Sequence, residues 1–163
     1  MPSIRTIVEE LEREGASTAR ILERVPGDKL DWRPHEKSSS LGDLAYHIAG
    51  LPGLGSIVLR QREFDAAAPR PATPRDTPAA DVFRRNLDQL LSVMGSMDSE
   101  QMMQPFRFRF GDNVLIDAPK AGVLRTLLMN HTYHHRGQLS VYLRLLDIPL
   151  PIIYGRTADE RPF

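Results

Sequence analysis

Two histidines four residues apart, in the run His131-Thr132-Tyr133-His134-His135-Arg136-Gly137-Gln138, carry the clearest chemical signal in this chain. On a helix that spacing puts both imidazoles on one face, a turn apart, where they can point at a single ion. The same face holds Leu124, Leu128, Leu139, Tyr142 and Leu146, so the rings are expected to project toward the core. His47 sits in another apolar stripe, between Leu44 and Leu51, and is a candidate third ligand. Three neutral imidazoles leave a divalent ion its full charge and an open coordination position. On zinc such a site lowers the pKa of a bound water to about 7, or holds a thiol as thiolate.

Simpler readings stand beside this one. Taken alone, His47 is better explained as a hydrogen-bonded core residue, and pairs like His131 and His135 also arise by chance on helix surfaces. His134 is turned away from the pair and is expected at an edge. His35 lies in a turn-rich segment and is expected in solvent. Asp43, one turn before His47, is a candidate to orient that ring or to cap its helix, and Gln138 and Tyr142 are candidates to touch a bound molecule. Arg136 is expected to be a salt-bridging surface residue.

Two familiar metal chemistries are disfavoured. A zincin protease needs glutamate directly after its first histidine, where this chain has Thr132. A ferritin-like di-iron bundle needs Glu-x-x-His pairs on two helices, and no such pair occurs. Cysteine is absent, which excludes disulfides and thiolate ligands and fits a reducing compartment. Any sulfur in the reaction must come with a substrate.

The elements that position these residues are helical. Apolar residues at Ile4, Ile7, Val8, Leu11, Ile21, Leu22 and Val25 predict a first helix from Ser3 to about Arg24, stopped by Pro26-Gly27. A turn-rich segment around Trp32 and Pro34 leads to a second helix, capped by Ser39 or Ser40 and running through Leu59, with a kink expected at Pro52. The proline-rich stretch Ala68 to Pro78 reads as a linker. A third helix is expected over Ala79 to Met97, and Phe106 to Ile116 alternates around Gly111-Asp112-Asn113 as a hairpin would. The fourth and longest helix runs from Lys120 to about Leu146, before Asp147-Ile148-Pro149. The expected fold is an all-α four-helix bundle with a small β-hairpin between helices three and four, one domain over the whole chain.

Equal counts of 21 basic and 21 acidic residues provide no field to attract nucleic acid. No export signal or membrane-length apolar run is seen, so a cytoplasmic protein is expected.

With these residues in hand, the chain resembles the DinB-like, YfiT-related family. Asp31-Trp32-Arg33-Pro34 followed by Ser40-Leu41-Gly42-Asp43-Leu44-Ala45-Tyr46-His47 is similar to the family's approach to its first ligand, and His131 to Gln138 is similar to its H-x-x-H-H-R-G-Q run. The tail from Pro149 to Gly155 is similar to that of one branch. The resemblance implies an up-down-down-up bundle, often homodimeric, with one divalent metal on His47, His131 and His135. It favours zinc or nickel, with iron or manganese as alternatives. Family members include metal-dependent hydrolases and S-transferases that use low-molecular-weight thiols. The expected function is therefore a metal-dependent enzyme activating a small thiol or water. The alternatives are a non-catalytic metal-binding stress-response or ligand-binding module, and histidines that are merely structural.

Overall fold

The computed structural model describes residues 4–70 and 74–161. Ser3, the expected start of the first helix, and Pro71-Ala72-Thr73 of the linker lie outside the described residues. The chain is mostly helical with a small three-stranded sheet. Helix α1 spans Ile4–Leu22, α2 Leu41–Arg60 and α3 Ala79–Gly95, followed by the short α4, Ser99–Met103. Strand β1 is Glu63–Asp65, β2 Pro105–Phe110 and β3 Asn113–Pro119. The last helical run begins as α5, Lys120–Val123, widens into π-helix over Leu124–Asn130, and continues as α6, His131–Leu145.

Local chemistry explains the boundaries. Ser40 accepts from the Asp43 amide at 3.0 Å while the Asp43 carboxylate accepts from the Ser40 amide at 3.2 Å, a capping box that starts α2. Pro52 lies inside α2 and has no N–H to donate to the preceding turn. Asp147, in left-handed conformation at φ 55°, closes α6. Its amide donates to Arg144 O at 3.1 Å and that of Ile148 to Leu143 O at 3.0 Å, a Schellman ending just before Pro149.

Helix α1 packs against α3, α3 against α2, α2 against α6, and α6 against α1. Leu11, Ile21, Leu41, Ile48, Leu90, Met94, Leu128, Leu139 and Leu143 fill the centre. At Gly15 a Cβ would stand 2.3 Å from a Leu87 methyl, so only glycine lets α1 approach α3 this closely.

Three expectations need correction. The hairpin is joined by β1, which pairs in parallel with β2 and sets Phe64 opposite Phe108. Three residues are too short to show alternation, and β1 is held by Arg109, whose guanidinium reaches Glu63 at 2.9 Å and Asp65 at 2.7 Å. The fourth helix is not uniform, because the π turn immediately precedes His131; such turns widen the backbone spiral and often sit at functional sites. Arg136 is not on the surface. It is 2% exposed, donates to Glu14 Oε2 at 2.8 Å and to Thr18 Oγ1 at 3.2 Å, and so fills polar positions in the otherwise apolar face of α1.

The tail after α6 is tied back onto the helices. Glu160 receives Arg20 and Arg24 at 2.7 and 2.8 Å, Asp159 pairs with Arg144, and the Tyr154 hydroxyl joins Glu14 and Arg136. No described helix is long and apolar enough to cross a membrane.

Candidate metal centre

Helix α2 contributes His47 and the first two turns of α6 contribute His131 and His135; one ligand atom from each lies within 4.8 Å of the others. The ring centroids are 4.5 to 4.9 Å apart. The Nε2 atoms of His47 and His131 are separated by 3.3 Å. Two nitrogens bound at about 2.05 Å with a tetrahedral angle between them stand about 3.3 Å apart, so this pair has the spacing that one ion requires. Among the described residues no carboxylate completes the cluster. The donor set therefore fits one borderline ion with protein ligands on three positions.

The other ring nitrogens of His131 and His135 have partners that orient those two rings. His131 donates to the Leu127 carbonyl, inside the π turn, which leaves Nε2 facing His47. His135 Nδ1 stands 2.6 Å from Gln138 Oε1; since that oxygen only accepts, the ring proton is on Nδ1 and Nε2 is free. Partners of this kind set tautomer and orientation, and losing one typically costs about 10–100-fold in metal affinity. Gln138→Leu is therefore expected to weaken metal binding by about that factor, read by competition with a chromogenic chelator, while thermal stability without metal stays close to wild type.

The rings sit at the rim of the core rather than inside it: His131 and His135 are half-buried and His47 is exposed along one edge. His47 is exposed although the buried stripe of α2 continues past it through Ile48, Leu51 and Val58, because cavities open on both sides of that residue. Burial, then the neighbouring His135 and His131, lowers the His47 pKa from 6.5 to about 4. Burial and His135 also lower His131, against the opposing effect of its bond to Leu127. Both rings are thus held neutral, as metal ligation requires.

A pH dependence follows for the metal-free protein. Unfolded, His47 takes up a proton below about pH 6.5, whereas the folded chain resists until about pH 4. The unfolded state binds more protons in that window, so stability falls as pH drops from about 6.5 to about 4. Urea midpoints across this range should decline, and His47→Gln should flatten the slope.

Asp43 does not orient His47. Its carboxylate bonds to Arg75 at 2.6 Å and to the Ser40 amide, contacts that lower its pKa to about 2. Tyr142 lines the wall of a cavity beside the histidines, where its hydroxyl donates to Ser39 O at 3.3 Å and its ring meets Trp32 edge-on at 5.8 Å. His134 is exposed, its ring 4.9 Å from that of His135, and His35 is exposed with Nδ1 accepting from the Lys37 amide.

The DinB family model matches residues 1–161. The chain belongs to the DinB family. It is 24% identical over 152 residues to the uncharacterized protein YrdA of Bacillus subtilis, covering 91% of this DinB chain and 86% of that protein. Crystal structures share the DinB fold. A DinB-like protein of Bacillus subtilis, YjoA, matches with TM-score 0.72 and 22% identity over 93% of this chain and 99% of its own. One from Bacillus cereus matches with TM-score 0.66 and 20% identity, over 90% and 94% respectively.

Two cavities meet at the histidines. A polar one of about 230 Å³ is lined by Ser38, Ser39, Asp43, His47, His135 and Tyr142, with Gln138 in its wall. A larger one of about 500 Å³ lies toward the sheet and includes His47, His131, Leu54, Phe64 and Phe108. Sequence reasoning missed the second entirely. Phe64 lies in the short β1, and only the parallel pairing of β1 with β2 brings it beside the metal centre.

Proposed function

We propose that this DinB-family chain is a metal-dependent enzyme that uses His47, His131 and His135 to hold one divalent ion, zinc or nickel foremost, and transfers a low-molecular-weight thiol to an electrophilic acceptor. The observation that carries this reading is the three-histidine cluster, with no fourth protein ligand among the described residues, placed where two separate cavities share His47. A hydrolase needs room for one substrate and a water; a transferase needs room for two substrates. The two cavities favour transfer over hydrolysis.

When bound, the ion supplies a positive centre that stabilises a thiolate near neutral pH. The chain's own residues do the rest. The Leu127 carbonyl and Gln138 keep protons on the outward nitrogens of His131 and His135, so Nε2 of each faces inward. Ser38, Ser39, Asp43 and Gln138 offer a polar lining suited to a hydrophilic thiol, and the larger cavity takes the acceptor. With no cysteine in the chain, the nucleophilic sulfur comes from the cosubstrate.

The same reading takes the four long helical runs as an up-down-down-up bundle, supported by their ring of packing contacts. It also includes a homodimer, supported by Val141 and Leu145, exposed apolar residues one turn apart on α6. The decisive experiment incubates metal-loaded, untagged protein with a panel of cellular thiols and electrophilic acceptors and follows thioether products by mass spectrometry. Metal-dependent product formation is expected. Thiol binding without any turnover would replace the enzyme by a binding module.

A further inference from the structure

The larger cavity has a chemical character that goes beyond a general acceptor site. One stripe of α2, His47, Gly50, Leu54 and Ile57, forms a wall, and Gly50 is a gap in it: a Cβ there would meet nothing within 4 Å. Phe64 and Phe108 face it as a stacked pair, centroids 5.7 Å apart and planes within 20°. At the rim stands Arg70. Its guanidinium carbon lies 4.6 Å above the Phe64 ring, and its Nη2 donates to the Ala66 carbonyl at 2.9 Å.

Those two contacts hold the guanidinium plane and leave most of its N–H groups available. Among the described residues Arg70 has no carboxylate within ion-pair distance; the neighbouring Asp65 is engaged by Arg109 and by the amides of Ala67 and Gly111. Among the described residues no acidic side chain lines the cavity. It is therefore apolar and aromatic in the middle, cationic at Arg70, and bordered by the histidines. Its volume of about 500 Å³ suits a compact organic molecule.

The geometry points to an acceptor with an aromatic or branched apolar body and a carboxylate, the body lying between Gly50 and the Phe64–Phe108 pair and the carboxylate on Arg70. This deepens the enzyme reading and rests on it only for placing the reactive end of the molecule at the histidines. Arg70 and Gly50 are then specificity-determining positions, one selecting charge and the other keeping space.

The test uses 4-phenylbutyrate and its uncharged partner 4-phenylbutanol as probes, titrated by calorimetry into zinc-loaded and zinc-free full-length protein. Wild type should bind the acid at least about 10-fold more tightly than the alcohol, the size of effect a charge-assisted hydrogen bond gives. Arg70→Met should bring the acid to the level of the alcohol with zinc content unchanged. Gly50→Leu should weaken both probes by about 10-fold or more, again with zinc retained. Gly50→Ala, which adds one methyl to open space, gives a smaller loss in the same direction should the leucine variant not fold.

Equal binding of acid and alcohol by wild type, or discrimination that survives Arg70→Met, overturns the proposal. So does discrimination that disappears when zinc is removed, because the carboxylate would then be a ligand of the ion. Failure of the acid to bind, or indifference to both Gly50 variants, overturns it as well. Arg70-dependent discrimination in a protein that takes up no metal would uphold the cavity assignment and refute the enzyme reading.

Discussion

His131→Ala is expected to reduce metal content from about one ion per chain to less than ~0.1, measured by plasma mass spectrometry on untagged protein after dialysis against dilute chelator. The loss is this large because His131 belongs to both halves of the geometry. Its Nε2 lies 3.3 Å from that of His47, and its other nitrogen is anchored to the Leu127 carbonyl. Removing it leaves two ligands on different helices, with no third donor in the cluster among the described residues. Metal-free stability should change little, since the ring is only half-buried. Wild type that holds less than ~0.2 ion per chain at every pH tested would refute the metal centre itself. His134→Ala is the control: its exposed ring contributes no ligand atom to the cluster, and metal content should stay near one.

Arg136→Met is expected to destabilise the fold by about 1.5–3 kcal/mol, read from urea or guanidinium midpoints, because it removes a charge-assisted bond from the buried Glu14 and leaves that carboxylate only the Tyr154 hydroxyl and Arg13, 3.7 Å away. The pair is nearly sealed: side-chain exposures are 3% for Arg136 and 10% for Glu14, at 2.8 Å. Burial alone raises the Glu14 pKa, yet bonds from Tyr154 and Arg136 outweigh it and the net shift is downward. Without Arg136 less of the burial is offset, and the Glu14 pKa is expected to rise. Adding Glu14→Gln to the arginine variant should restore part of the loss, a non-additivity expected of one buried pair. A loss below ~1 kcal/mol would show the pair to be solvated. Because His135 is the residue before Arg136, metal affinity reports whether this anchor also steadies the ligand turn.

Much of this was legible in the sequence, and the reasons are physical. Helices α1, α2 and α3 are written in apolar periodicity and in local stop signals such as Pro26-Gly27 and the Ser40 cap, which act within a few residues. The histidine spacing on α6 is likewise local. What escaped depends on long-range pairing. The three residues of β1 carry no pattern until β2 lies beside them, so the Phe64–Phe108 wall was invisible. Arg136 looked like a surface residue because its partner, Glu14, lies 122 positions away in the chain. The π turn is a property of backbone winding, and Leu124 to Asn130 read equally well as ordinary helix. Asp43 shows the opposite limit: proximity in sequence suggested a bond to His47, while its carboxylate was taken by Arg75 and by the cap.

Trp32 is the only tryptophan in the chain, and it touches the ring of Tyr142 on the wall of the smaller cavity. The molecule thus carries its own optical probe. Excitation at the red edge of indole absorbance addresses one chromophore at one place, and a molecule that enters beside Tyr142 alters the polarity around it. Occupancy of the polar cavity can therefore be followed by emission wavelength in unlabelled protein, independently of heat signals from the larger one.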